Sequence, residues 1–196
     1  MAKSSRAVSA EHRDQVVAST SRLLRERGEA GVRVQDAMAS AGLTHGGFYK
    51  HFGSKDDLVG EAAGAAFGDV LGVVARVADD ATDPADAWRR LAAEYLSAEH
   101  RADAGGGCAN AALAVDSARA DPDSSLRSAV TDGVHRTVSA LTRLRGGDEA
   151  GQREREESVR ALAVLVGSMV LARATAGDPL SDELLAVGRA VVEADA

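Results

Sequence analysis

Residues 34–55 read VQDAMASAGLTHGGFYKHFGSK. The first part, about 34–41, has the composition of a short helix, and Gly42 then supplies a residue that tolerates positive φ at a tight turn. Thr44 is placed to cap a further short helix through Phe52, which Gly53 stops. Phe48 and Phe52 stand four apart, so they share one helix face and should pack inward with Leu43. Tyr49 and Lys50 then point elsewhere, with His45 and His51 near the ends. Two short helices about a glycine turn cross steeply, and such a pair can present its second helix to a DNA major groove. Taken alone, polar residues on a short exposed helix equally describe solvated surface.

Working outward, Ser9 is a candidate cap for a first helix carrying Val16, Val17, Thr20, Leu23 and Leu24 on one side, and Gly28 ends it as a C′ glycine. Three helices thus fit within about fifty residues. Downstream, Ser54 with acids in the following turn resembles a capping box and opens a long helix to about residue 77. Asp83-Pro84 opens another through Trp88, Leu91, Tyr95 and Leu96, and the glycines at 105–107 mark a break. Helical spacing resumes over 108–118 and in Leu126, Val130, Val134, Val138, Leu141 and Leu144. A polar loop covers 146–151, and the last two helices span about 153–176 and 181–193.

Composition agrees with an all-α chain: 45% hydrophobic, rich in Ala, with only three Pro and 3% aromatic residues. A single cysteine, Cys108, excludes an intramolecular disulfide, and no Cys/His spacing suggests zinc, so the expected compartment is the reducing cytoplasm and no cofactor or metal is expected. The start of the sequence has basic residues without an apolar stretch behind them, unlike a signal peptide or anchor. Residues 161–172 are strongly apolar but well short of the roughly 18 to 20 a membrane span requires, so no membrane partner is expected. The net charge of −7 is divided unevenly: residues 1–55 hold nine Lys/Arg and five Asp/Glu, a net +4, and the remaining 14 basic and 25 acidic residues give −11. A basic head on an acidic body suits a phosphate-binding module joined to a soluble regulatory part, although chance clustering produces such splits too.

Residues 13–59 resemble the signature of the TetR family of transcriptional regulators. Arg13 opens the first helix, Gly28 follows it, Asp36 lies in the second, Ala41-Gly42-Leu43 forms the turn, and Phe48-Tyr49-x-His51-Phe52-x-x-Lys55-x-x-Leu58 closes the motif. The resemblance covers roughly a quarter of the chain, and the rest shares the family's size and helical plan. It implies a helix-turn-helix DNA-binding domain at 1–55 and a larger helical effector-binding and dimerisation domain at 56–196. It further implies phosphate contacts from Tyr49, His51 and Lys55, and a Thr44 that combines capping with a phosphate contact. His45, Gly46 and Lys50 occupy positions that face base edges, where Lys50 could donate to guanine. Gly46 and Gly47, having no side chains, would let backbone approach DNA closely. Two departures stand out. Arg33 replaces the usual Ser or Thr before the second helix, so it cannot cap through an oxygen but could reach a phosphate. Ala37-Met38 reverses the usual order of large and small, with flexible Met38 expected to fill the space Ala37 leaves.

Beyond residue 55 no catalytic constellation is apparent. Cys108, His100 and His135 match no local thiol-imidazole signature, so an enzyme is not expected. The resemblance implies a ligand cavity among the middle helices, for which Phe67, Leu71, Trp88, Tyr95, Cys108, Leu113, Val134 and Met169 are candidate lining residues, each also explicable as ordinary core. Cys108 at a helix start is either a sensor of electrophiles or oxidants or a small buried apolar thiol. Residues 161–172, with Leu184, Leu185, Val187, Val191 and Val192, form the expected homodimer surface, Gly167, Ser168 and Ala172 allowing close approach; burial within one chain is the competing account. The expected function is a dimeric repressor on a near-palindromic operator, released when a small effector favours a state whose heads miss the half-site spacing. A helical binding module with a vestigial DNA motif and an enzyme are the alternatives, and retention of Tyr49, Lys50 and Lys55 speaks against the vestigial reading.

Overall fold

In a computed structural model, residues 2–194 are described, and among them the regular elements are all helical. Helix α1 spans Ala2–Gly31, with Gly28 at φ 68° interrupting it where the C′ glycine is expected. The anticipated Ser9 cap is not the start: the helix begins seven residues earlier, since neither Gly nor Pro between residues 2 and 27 stops it from extending upstream. Helix α2 covers Val34–Ser40. A 3-10 helix, the recognition turn, then covers His45–Lys50 in place of an α-helix reaching Phe52. Gly46 and Gly47 are poor α-helix formers, and six residues suit the tighter winding. Thr44 holds the extended N-cap conformation but makes no side-chain cap bond.

Among the described residues there follow α3 (Lys55–Asp80), α4 (Pro84–Tyr95), the short α5 (Ala98–Ala102), α6 (Ala109–Arg119), α7 (Ser125–Gly146), a 3-10 turn (Gly147–Glu149), α8 (Gln152–Ala174) and α9 (Pro179–Ala194). Unlike Ser9 and Thr44, the residues expected to open α3 and α4 do cap them. Ser54 accepts from the Asp57 amide and Asp83 from the Asp86 amide, each satisfying an amide that has no partner within its own helix. The helix after Asp121-Pro122 starts at Ser124, which accepts from the Arg127 amide.

The core falls into three clusters along α3. Val16, Ala37, Met38, Phe48, Phe52 and Leu58 form the first, which includes Met38 filling the head as its order with Ala37 suggests. Leu24, Val59, Phe67, Leu113, Leu126 and Val130 belong to the second. Val74, Val77, Trp88, Leu91, Leu141, Leu165, Met169 and Leu185 belong to the third. Helix α3 therefore contributes to every cluster, so no gap in packing separates residue 55 from residue 56. By length and composition this 26-residue helix could cross a membrane, but one face is taken up by these three cores. At its middle the Phe67 ring lies against Gly133 of α7, where any Cβ would overlap the ring. Its first turn is held to the start of α7 by Asp56, which accepts from the Ser125 amide and hydroxyl.

Candidate DNA-binding face and body cavity

The turn between α2 and the recognition turn is closed by the Leu43 amide donating to the Met38 carbonyl at 2.9 Å, with Gly42 at φ 70°. Phe48 and Phe52 stack inward at 5.5 Å between ring centroids. Anchoring two aromatics on one side obliges the intervening side chains to face out. Tyr49 is 77% exposed, and Thr44, His45, Gly46 and Lys50 are exposed with it. Gly47 and His51 are half-buried, whereas Arg33 and Lys55 are exposed at the starts of α2 and α3. Arg33 makes no side-chain cap bond. The Lys55 ammonium lies 3.4 Å from the Glu29 carbonyl, tying it to the end of α1.

Arg13, expected to open the first helix, lies inside α1, because the helix extends upstream to Ala2. Its Nε donates to the His51 carbonyl at 3.3 Å, its guanidinium lies 4.9 Å from the Phe52 ring centroid, and it pairs with Glu61 of α3. One side chain thereby holds the recognition turn to two helices, a positioning role that an arginine on a helix does not reveal in sequence.

A cavity of about 380 Å³ opens in the body between α3, α4, α5, α6, α7 and α8, within the usual range for small-molecule sites. Its walls are mainly aliphatic: Val70, Val73, Val74, Leu91, Leu141, Leu162 and Leu165. Polar groups join them in Tyr95, His100, Cys108, Asn110 and Thr137. Of the candidates from sequence, Tyr95 and Cys108 line this cavity. Phe67, Trp88, Leu113 and Met169 are instead fully buried core, Val134 is 36% exposed on α7, and Leu71 is half-buried outside the lining. The reason is geometric: apolar spacing marks a buried face without saying whether a neighbouring side chain or a void lies opposite.

His100 sits edge-on to Tyr95, 4.7 Å between centroids. Its Nε2 accepts from the Cys108 amide at 3.1 Å, which leaves the ring proton on Nδ1 to donate to the Tyr95 carbonyl at 2.6 Å. Burial lowers the His100 pKa, in keeping with this neutral ring. The imidazole thus addresses the backbone of Cys108, and His135 lies exposed on α7, so the three residues form no thiol-imidazole pair. Cys108 is buried at the N-cap of α6, its sulfur 3.5 Å from the Asn110 Nδ2. Burial foremost, then the neighbouring Cys108 thiol, pushes the Tyr95 phenol well above its ordinary pKa.

Head and cavity meet at Arg25, which the sequence reading missed. Its side chain is 4% exposed, and from α1 it donates to the Gly107 carbonyl at 3.1 Å and to Asp69 at 2.9 Å, both lining residues of the cavity. Its sequence signal was slight, since it looks like one more charge on an amphipathic helix. Nearby, the Glu29 amide donates to Asp116 of α6 at 2.7 Å just past the Gly28 break.

Comparison with known proteins bears on this arrangement. Residues 16–62 match the family model described as bacterial regulatory proteins, tetR family. The fold as a whole is similar to that of a TetR-family transcriptional regulator from Agrobacterium tumefaciens, at 20% identity over 94% of this chain and 97% of that one, TM-score 0.76. It is also similar to reduced NemR from E. coli, at 18% identity over 93% and 95%, TM-score 0.77. A TetR regulator from Chloroflexus aurantiacus gives 24% identity over 94% and 93%, TM-score 0.74. Comparison with curated protein sequences gave no match. The head thus carries a sequence pattern that matches the tetR family model over residues 16–62, and the described helices share the fold of TetR-family transcriptional regulators.

Proposed function

We propose that the protein is a cytoplasmic, homodimeric, ligand-responsive repressor, without catalytic activity, that holds a near-palindromic operator and releases it when a small effector enters the body cavity. The observation that carries this reading is a recognition turn whose inner face is fixed by Phe48 and Phe52 and whose outer face offers Tyr49 and Lys50 from a head of net charge +4. Tyr49, His51, Lys55, Arg33 and Thr44 are assigned to phosphates, and His45, Gly46 and Lys50 to base edges, with Gly47 allowing close backbone approach. Residues 1–55 act as the DNA-binding part and 56–196 as the effector and dimer part.

Dimerisation through α8 and α9 is supported by their solvent faces, where Val159, Val170, Leu171, Leu180, Val187 and Val191 are all exposed and Gly167 has open space above it. A large exposed aliphatic surface on two adjacent helices calls for a partner, and a two-fold mate presents the same surface. Two heads then sit about one DNA turn apart. Arg25 supplies the route from effector to head, because both of its long-range partners belong to the cavity wall.

The test is selection of genomic DNA fragments by the purified protein, followed by titration of the enriched site with wild type and Tyr49→Ala at several salt concentrations. The reading expects one enriched near-palindrome whose affinity falls with salt and drops at least tenfold in the variant. No enriched sequence, or equal affinity in the variant, refutes it.

A further inference from the structure

The chemistry of the cavity wall narrows what it can hold. No Lys or Arg lines it, and its four acids, Asp69, Glu94, Glu99 and Asp103, are all exposed residues. Asp69 and Glu94 are engaged by Arg25 and Arg76. An anion would therefore enter past carboxylates and find the nearest guanidiniums, those of Arg25 and Arg173, behind the wall and engaged by backbone carbonyls and Asp69, and an ammonium would find no buried carboxylate to replace its water. Inside, most polar groups are already satisfied: both His100 nitrogens are used, and the Thr137 hydroxyl donates to the Gly133 carbonyl at 2.8 Å. Two atoms are left. The Asn110 Oδ1 is buried without a hydrogen-bond partner, the buried Tyr95 hydroxyl has beside it only the Cys108 thiol, a weak partner, and Asn110 is only 4% exposed. Both residues line the same cavity, and both contribute to the surroundings of Cys108. A buried donor weakly met and a buried acceptor left open are costly in an empty site and informative about a filled one.

Resting on the reading of this cavity as the effector site, we propose that its ligand is an uncharged, mainly apolar molecule bearing a hydrogen-bond acceptor beside a donor, as in a primary carboxamide, received by the Tyr95 hydroxyl and the Asn110 Oδ1. The aliphatic wall takes the body of the molecule, and these two atoms fix its polar end.

Three probes of one shape separate the alternatives: 2-naphthamide, 2-naphthoate and 2-naphthylmethylammonium. Calorimetric titration into the full chain is expected to give binding of the amide at least tenfold tighter than of either ion, and a concentration-dependent rise in Tm. Asn110→Leu and Tyr95→Phe should each weaken amide binding about tenfold, and Asn110→Leu should leave the free protein at least as stable as wild type, since it removes an unsatisfied buried polar group. Equal or tighter binding of either ion, no binding of the amide, or wild-type amide affinity in both variants overturns the proposal. Operator affinity measured alongside separates it from the broader reading. An ion that binds and releases DNA leaves effector control standing and removes the ligand class. An amide that binds without altering DNA affinity keeps the ligand class and removes effector release.

Discussion

Replacing Arg25 by Met should weaken the fold modestly and disconnect the cavity from the head. Met keeps most of the stem volume in a site where the side chain is 4% exposed, so packing is largely preserved and the donors alone are lost. Three acceptors change. Asp69 is 63% exposed and regains water, so this pair is worth under about 1 kcal/mol. The Ser21 carbonyl, 3.3 Å from Arg25 Nε, keeps its place in the helix ladder. The Gly107 carbonyl loses the guanidinium, at a cost of about 1 to 3 kcal/mol. The net loss is about 2 kcal/mol, which for a chain of this length lowers Tm by about 4 to 8 °C. Thermal unfolding of wild type and variant at one protomer concentration measures it. The second readout is operator affinity with and without a cavity ligand: an allosteric effect of the usual 5- to 150-fold should shrink to about threefold or less, with little change in affinity for the free operator. A Tm within about 1 °C of wild type, or a ligand effect of full size, refutes the assignment of Arg25 as the connection.

The added methyl of Gly46→Ala meets open space and Gly46 is not among the positive-φ glycines, so Tm should stay within about 2 °C while operator affinity falls, provided backbone approach is what the position serves. Leu171→Glu on the exposed face of α8 should yield monomers in sedimentation experiments with helix content retained; an intact dimer would remove this face from the interface. His100 titrates below its ordinary value of 6.5, so its contribution to stability is complete above that value and is lost as pH falls through it toward the lowered one. Wild type should therefore lose more Tm between about pH 7 and about pH 5 than His100→Gln, and parallel curves would show that the neutral ring is not a source of stability.

How far the sequence could be read depended on the range of the interactions involved. Ser54 and Asp83 announce their helices because a cap and the amide it serves lie three residues apart, and Phe48 with Phe52 fixes the face of the recognition turn within one turn of chain. Ser9 misled because a good capping residue is also tolerated within a helix, and Gly28 did not because positive φ leaves few substitutes. The cavity was hidden for another reason. Trp88 and Leu91 lie three apart on α4 and are both buried, yet Leu91 meets the void and Trp88 does not. Arg25 and Gly107 are 82 residues apart, and nothing local marks an arginine that will be buried against a carbonyl so distant.

The Gly133 contact gives α3 a fulcrum. With the Phe67 ring lodged against the α7 backbone, the helix is held between Leu58, in the head, and Val73, at the cavity wall. At 1.5 Å per residue the arms are about 13 Å and about 9 Å, so motion at the cavity reaches the head reversed in direction and enlarged by about half. A tilt of about 5° displaces Leu58 by about 1 Å, and in the proposed two-fold dimer the two heads would separate by about 2 Å, a large part of the roughly 3.4 Å rise of one base pair. In the proposed dimer, a ligand that spread the aliphatic wall by a fraction of an ångström would therefore alter the spacing of the heads by an amount DNA can register.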